Sequence, residues 1–158
     1  MNRGVPMKKK LLFVLILLST LFITGCTTKE TLEPNQFKTQ IEKKGFIVVD
    51  QTSAVIHLNA DLNYSYIATT PDERYAIEYY SFNGESGAQA FYAQKHADIT
   101  ATGGQVSTEL NQGNYQKYTL NHNGKYTIIS RISNTVVFVH ADKNYMEEIN
   151  IIVKDVGY

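Results

Sequence analysis

Apolar residues follow three regimes along the chain. From Leu11 to Leu18 they form an unbroken run behind Lys8, Lys9 and Lys10, broken at Ser19 and Thr20 and resumed at 21–23. After a polar stretch, Phe37 and Ile41 stand at i and i+4 behind Pro34, with Gly45 as a stop, so 34–44 is expected to be a helix. Residues 46–50, FIVVD, are β-branched and apolar and read as a strand. Residues 52–63 fit two descriptions: Ala54, Val55, Leu58 and Leu62 make a helical face, while 55–58 also suits a short strand. The helix is the better fit.

Beyond Tyr64 the pattern sharpens. Segments 64–69 and 74–82 read as a hairpin across Thr70-Pro71-Asp72-Glu73; Ala76, Glu78, Tyr80 and Phe82 share one face, and Tyr75, Ile77 and Tyr79 the other. Asn83 is placed to cap a helix over 85–100 with the apolar face Ala88, Phe91, Tyr92 and Ile99, ended by Gly103-Gly104. Four strands follow at 105–110, 115–121, 125–132 and 135–141. Asn123-Gly124 suits a two-residue hairpin turn, and Ser133-Asn134 is a weaker turn signal. Connections this short make an antiparallel meander. Residues 142–156 form an amphipathic helix with the stripe Tyr145, Ile149, Ile152, Val153 and Val156. The architecture is α+β: an antiparallel sheet of about six to seven strands, ending in a four-stranded meander, with three to four helices mostly packed on one face. A one-sided cover would leave the other face to water or a partner.

The leader changes the picture. A basic segment, an apolar core and small residues at the end make a secretory signal. The apolar run is short for a spanning helix, which needs roughly 20 such residues. Its ending, Ile23-Thr24-Gly25-Cys26, resembles the lipobox of bacterial lipoproteins. The resemblance, whose pattern has Gly or Ala before the Cys, implies a diacylglycerol on the Cys26 thiol and cleavage between Gly25 and Cys26, where a large side chain would obstruct the peptidase. Residues 1–25 are then a signal peptide, 26–33 a lipidated N-terminus with a short polar tether, and 34–158 one domain. Two acyl chains bind a bilayer firmly, at about 0.8 kcal/mol for each buried CH₂. Met7, directly before the lysines, is a second candidate start.

Charge narrows the partners. Four of the 15 basic residues lie in the leader, which has no acids, leaving 11 against 15 and a net charge of −4 for residues 26–158. That balance argues against nucleic acid, which needs clustered Lys and Arg. Cys26 is the sole cysteine, so no disulfide holds the domain and no thiolate completes a zinc site.

Candidate chemistry is sparse. His57, His96, His122 and His140 lack ligand spacing and read as solvated side chains, with no metal expected. Glu73, Glu78 and Glu85 surround the first hairpin. Glu78 alternates with aromatic residues and, if it faces the core, needs a partner, for which Arg131 is the natural candidate. No serine sits in a G-x-S-x-G elbow or an S-x-x-K arrangement. Of eleven tyrosines, Tyr64, Tyr66, Tyr79 and Tyr80 fall on the first hairpin and are candidates for stacking on a ligand, unless they simply half-bury as good strand residues. No catalytic residue and no cofactor beyond the covalent diacylglycerol are expected.

In plan the chain resembles small lipoproteins of Gram-positive bacteria: lipobox, short tether, modest α+β domain. The resemblance implies a lipid anchor on the extracytoplasmic face of the cell membrane. The expected function is a non-enzymatic accessory module binding an envelope protein, an envelope polymer or a small ligand. The alternatives are an envelope hydrolase using acidic residues and an immunity or inhibitor protein.

Overall fold

The computed structural model describes residues 28–158; Gly25, Cys26 and the rest of the leader lie outside the described residues. The chain runs α1 (Pro34–Glu42), β1 (Ile47–Asp50), α2 (Thr52–Val55) with a 3-10 turn (Ile56–Leu58), β2 (Leu62–Thr69), β3 (Ala76–Phe82), α3 (Glu85–Ala101), β4 (Gln105–Gln112), β5 (Tyr115–His122), β6 (Lys125–Ile132), β7 (Thr135–Asp142), a 3-10 turn (Lys143–Tyr145) and α4 (Met146–Asp155). The strands form one seven-stranded sheet in the order β1-β2-β3-β7-β6-β5-β4, antiparallel throughout. The fold is α+β, as the pattern predicts. Pairing of β7 with β3 joins the first hairpin to the meander.

Turn chemistry sets the register. Asn123 and Gly124 take φ of 48° and 74°, the pair of positive values a two-residue hairpin needs. The turn places His122 opposite Lys125 and, further out, Gln116 opposite Arg131.

Two cores lie on opposite faces of the sheet. On one, Phe37 and Ile41 of α1 and Ile149, Ile152 and Val153 of α4 cover Tyr66, Ile77, Tyr79, Ile128 and Val139. On the other, Ala88, Tyr92 and Ile99 of α3 cover Phe82, Tyr118, Ile129 and Val136. Two long helices share a face, but the opposite face is not left to water: α3 lies on its central strands. β6 and β7 are therefore buried on both sides along most of their length.

Three local expectations need correction. Residues 52–63 divide into α2, the 3-10 turn and the start of β2 at Leu62, so helix holds only for the first part. The N-cap of α3 is the extended Gly84, without a side-chain cap bond; Asn83 instead uses its N–H on the Asp61 carbonyl at 2.8 Å. The expected tether is docked from Lys29 onward. Lys29 N–H donates to Asn114 Oδ1 at 3.0 Å, Asn114 Nδ2 donates to Lys29 O at 2.8 Å, and Leu32 packs on the first core. Among the described residues no helix is long and apolar enough to cross a membrane.

Buried phenols make the fold sensitive to alkali. Burial raises the pKa of Tyr75, Tyr79, Tyr80 and Tyr158 above the ordinary 10.0 and pushes Tyr92 up to about 12. A phenol with a raised folded pKa stabilises the fold fully below its unfolded pKa, and that contribution is lost as pH rises through the folded value. Unfolding is expected as pH climbs above 10, with tyrosinate absorbance and loss of circular dichroism rising together. Gradual ionisation with the sheet intact would contradict it.

Candidate functional site

The tyrosines singled out in the sequence do not form an exposed platform. Tyr64 is 39% exposed, whereas Tyr66 and Tyr79 are buried in the first core. Their rings make a row leading inward from the sheet surface: Tyr64 to Tyr66 at 6.2 Å, Tyr66 to Tyr79 at 6.1 Å, and Tyr79 stacked on Phe37 at 4.5 Å. Tyr80 points to the other face and packs on Phe91 at 4.7 Å. The abundance of tyrosine is thus largely a matter of packing. Buried phenols find acceptors: Tyr75 donates to Glu148 Oε1 at 2.9 Å, Tyr79 to Leu32 O at 2.6 Å and Tyr126 to Asn150 Oδ1 at 2.7 Å.

Glu78 and Arg131 share the α3 face but do not pair. Across β7, Glu78 is level with Phe138 and Ile129, while Arg131 is level with Val136 and Tyr80. The Glu78 carboxylate instead accepts a hydrogen bond from the Tyr80 hydroxyl on its own strand. The expected ion pair is replaced by two separate environments.

Arg131 is the unusual one. Its side chain, on β6, is 3% exposed, yet among the described residues no carboxylate lies within 4.0 Å of it. Its Nε donates to Oε1 of the cross-strand Gln116 at 2.6 Å and Nη1 donates to Ser133 O at 2.8 Å. These are its two hydrogen bonds among the described residues, and Arg131 lines a cavity of about 520 Å³ between α3 and the ends of β4 and β5. Burial lowers the Arg131 pKa, opposed by Glu85 and the Tyr92 phenol.

Each element delivers one side of this cavity. α3 presents Gln89, Tyr92 and His96 on successive turns, β4 presents Glu109, and the β5–β6 pair presents Gln116 and Arg131. His96 stands edge-on to Tyr118 at 4.3 Å and parallel to Tyr92 at 6.0 Å, so its ring is held by packing. Tyr92 keeps its proton well beyond neutral pH because burial, and then Glu109, oppose the phenolate, so its hydroxyl is able to donate there. The arrangement offers a buried guanidinium, a phenol donor and side-chain amides to an oxyanion. An unpaired buried cation is costly, and a planar carboxylate or phosphate oxygen pair matches the guanidinium fork.

Sequence reasoning named Arg131 but missed Tyr92, His96, Glu109 and Gln116 as its neighbours. Gln116 was within reach: counting outward from Asn123-Gly124 sets it opposite Arg131. The others come from α3 and β4, whose placement no local pattern gives. Of the other histidines, His57 is exposed, and His122 and His140 line a smaller cavity of about 380 Å³ with Lys95 and Asp98. His140 Nδ1 lies 2.8 Å from Thr127 Oγ1. Among the described residues no group of three or more His, Cys, Asp or Glu side chains is placed to hold a metal ion.

No family model matches the chain, and no curated protein matches it. Among solved structures, the crystal structure of a GTP binding regulator from Thermotoga maritima is similar, with 20% identity over 81% of this chain and 85% of that one, at a TM-score of 0.43. A likeness of that degree assigns this chain no ligand.

Proposed function

We propose that the chain is a lipid-anchored extracytoplasmic protein whose domain is a non-enzymatic binding module for a small carboxylate- or phosphate-bearing ligand held by Arg131. The anchor rests on Ile23-Thr24-Gly25-Cys26 behind an apolar run. The binding reading rests on one observation: a guanidinium almost wholly buried, without a carboxylate partner among the described residues, and open to a cavity. Proteins retain such a charge at a cost in stability where a ligand completes it. Hydrolysis by paired acids is a weaker reading, because the cavity is lined by one carboxylate, Glu109, and Glu78 is engaged by Tyr80.

The test is thermal unfolding of the full chain in nonionic detergent against acetate, succinate, inorganic phosphate and their uncharged amide or alcohol counterparts. Wild type should gain stability with at least one anion and none of the neutral counterparts. Charge-assisted hydrogen bonds contribute about 1.5–3 kcal/mol each, so Arg131→Met should bind roughly ten- to a hundredfold more weakly. Without ligand, Arg131→Met should be as stable as wild type or more so. A variant that is destabilised, beside a wild type indifferent to every anion, would make Arg131 purely structural.

A further inference from the structure

A groove of about 680 Å³ lies on the face opposite Arg131's cavity, where α4 stops short of the outer strands β4 and β5. Four lysines line it, Lys29, Lys117, Lys143 and Lys154, and no Asp or Glu does. In a region that carries 15 acids against 11 bases, such segregation of one charge is not the average surface. None of the four pairs with an Asp or Glu side chain among the described residues. Lys29 Nζ lies 3.9 Å over the Tyr115 ring and donates to Gly157 O at 2.9 Å, and Lys117 Nζ reaches only Tyr158 O at 3.5 Å. Burial lowers the pKa of both, and Lys29 lowers that of Lys117 further. Two ammonium groups are thus held half-buried and close enough to repel.

Polar atoms on the groove's floor are also left over. Thr119 is 1% exposed and its Oγ1 meets no group in hydrogen-bond geometry, although it lies near enough to the Tyr126 phenol to temper the rise that burial gives it. Asn121 Nδ2 donates to Ser107 Oγ at 2.7 Å, but its Oδ1 is buried without a partner. An orphaned acceptor and an orphaned hydroxyl call for a ligand that donates, which a bare inorganic anion does poorly. Lysines around the rim call for negative charge.

We propose that the groove is a second binding site, for a phosphate ester of a small polyol: phosphate on the lysines, hydroxyl groups on Thr119 and Asn121. Glycerol phosphate is the simplest such unit, and the groove has room for more than one. The unit has two sources, a phospholipid headgroup and a soluble or polymeric ester. The site shares only Leu110, and no polar lining residue, with the Arg131 cavity and does not depend on the lipid anchor.

Calorimetric titration of the full chain in nonionic detergent separates the possibilities. Glycerol 3-phosphate should bind, more tightly than inorganic phosphate and more weakly as salt is raised, since exposed charges are screened. Phosphatidylglycerol doped into the micelles should compete with it if the headgroup is the source, and fail to if the source is soluble. The Lys117→Ala/Lys154→Ala double variant should bind at least tenfold more weakly, with unchanged circular dichroism. Thr119→Val should bring glycerol 3-phosphate down towards inorganic phosphate. Arg131→Met, which removes any contribution of the Arg131 cavity, should keep the lysine-dependent part of this binding. Absence of binding at low salt, or equal binding by wild type and the double lysine variant, would overturn the proposal. Should the double variant misfold, the exposed Lys143→Glu, which reverses one charge on the rim, gives the same reading.

Discussion

Tyr79→Ala is expected to lower stability by about 3–5 kcal/mol, the range for removing a large aromatic side chain from a closed core. Tyr79 is 0% exposed at the centre of β3. Its ring stacks on Phe37 of α1 at 4.5 Å and 17°, and lies 6.1 Å from Tyr66 on β2. Each such pair adds about 0.5–1.5 kcal/mol beyond area burial. Its hydroxyl ties down Leu32 O at 2.6 Å, so the substitution also frees the segment that leads to Lys29. Domains of this kind have a stability of about 5–15 kcal/mol, so the variant would sit near the margin at 37 °C. Tyr64→Ala, on the same face but 39% exposed, should move stability by about 0.5 kcal/mol or less. Urea unfolding of the two variants beside Tyr79→Phe, expected near 1 kcal/mol for the lost hydrogen bond, separates ring from hydroxyl. Equal losses for Tyr64→Ala and Tyr79→Ala would mean that the tyrosine row is not ordered as described.

The other large effect concerns location. Cys26→Ala should move the protein out of the membrane fraction, or leave it unprocessed, and should abolish the mass of an attached diacylglycerol in the intact chain. Each CH₂ buried contributes about 0.8 kcal/mol, so two long acyl chains make the difference close to all-or-none. If wild type and variant partition alike and neither carries lipid, the lipobox reading fails, and the apolar run 11–23 acts as an ordinary signal or a membrane helix. The Arg131 experiment is unaffected by that outcome, because the cavity lies wholly within the described residues.

Much of the architecture was written locally. Asn123-Gly124 fixed one hairpin down to its register, and the apolar stripe 149, 152, 153 and 156 marked the last helix by its buried side. Which face of the sheet α3 takes was not local information: its stripe says that one side is buried, not against what. A signal did exist in the strands. Residues 135–139, TVVFV, and 126–129, YTII, run nearly unbroken in apolar or β-branched side chains, as strands covered on both faces do, whereas a one-sided sheet alternates. The Glu78–Arg131 pair failed for a similar reason. Both side chains do lie on a common face, but their levels depend on the β3–β7 and β6–β7 registers taken together. Residue type alone picked out Glu78 as needing a partner; only the register shows that Arg131 is not it.

The sheet has two free edges, and they are unlike. β4 is the polar sequence QVSTELNQ, mostly exposed, with its pairing shifted between Val106 and Thr108. β1 exposes Ile47 and Val49 but is only four residues long, between Lys44 and Asp50. A long, flat, apolar edge templates the addition of further chains, and neither edge has all three properties. Molecules confined to a surface collide with their own copies far more often than molecules in bulk solution. If this chain is so confined, its edges let it reach high density on a membrane without its sheets growing into fibres.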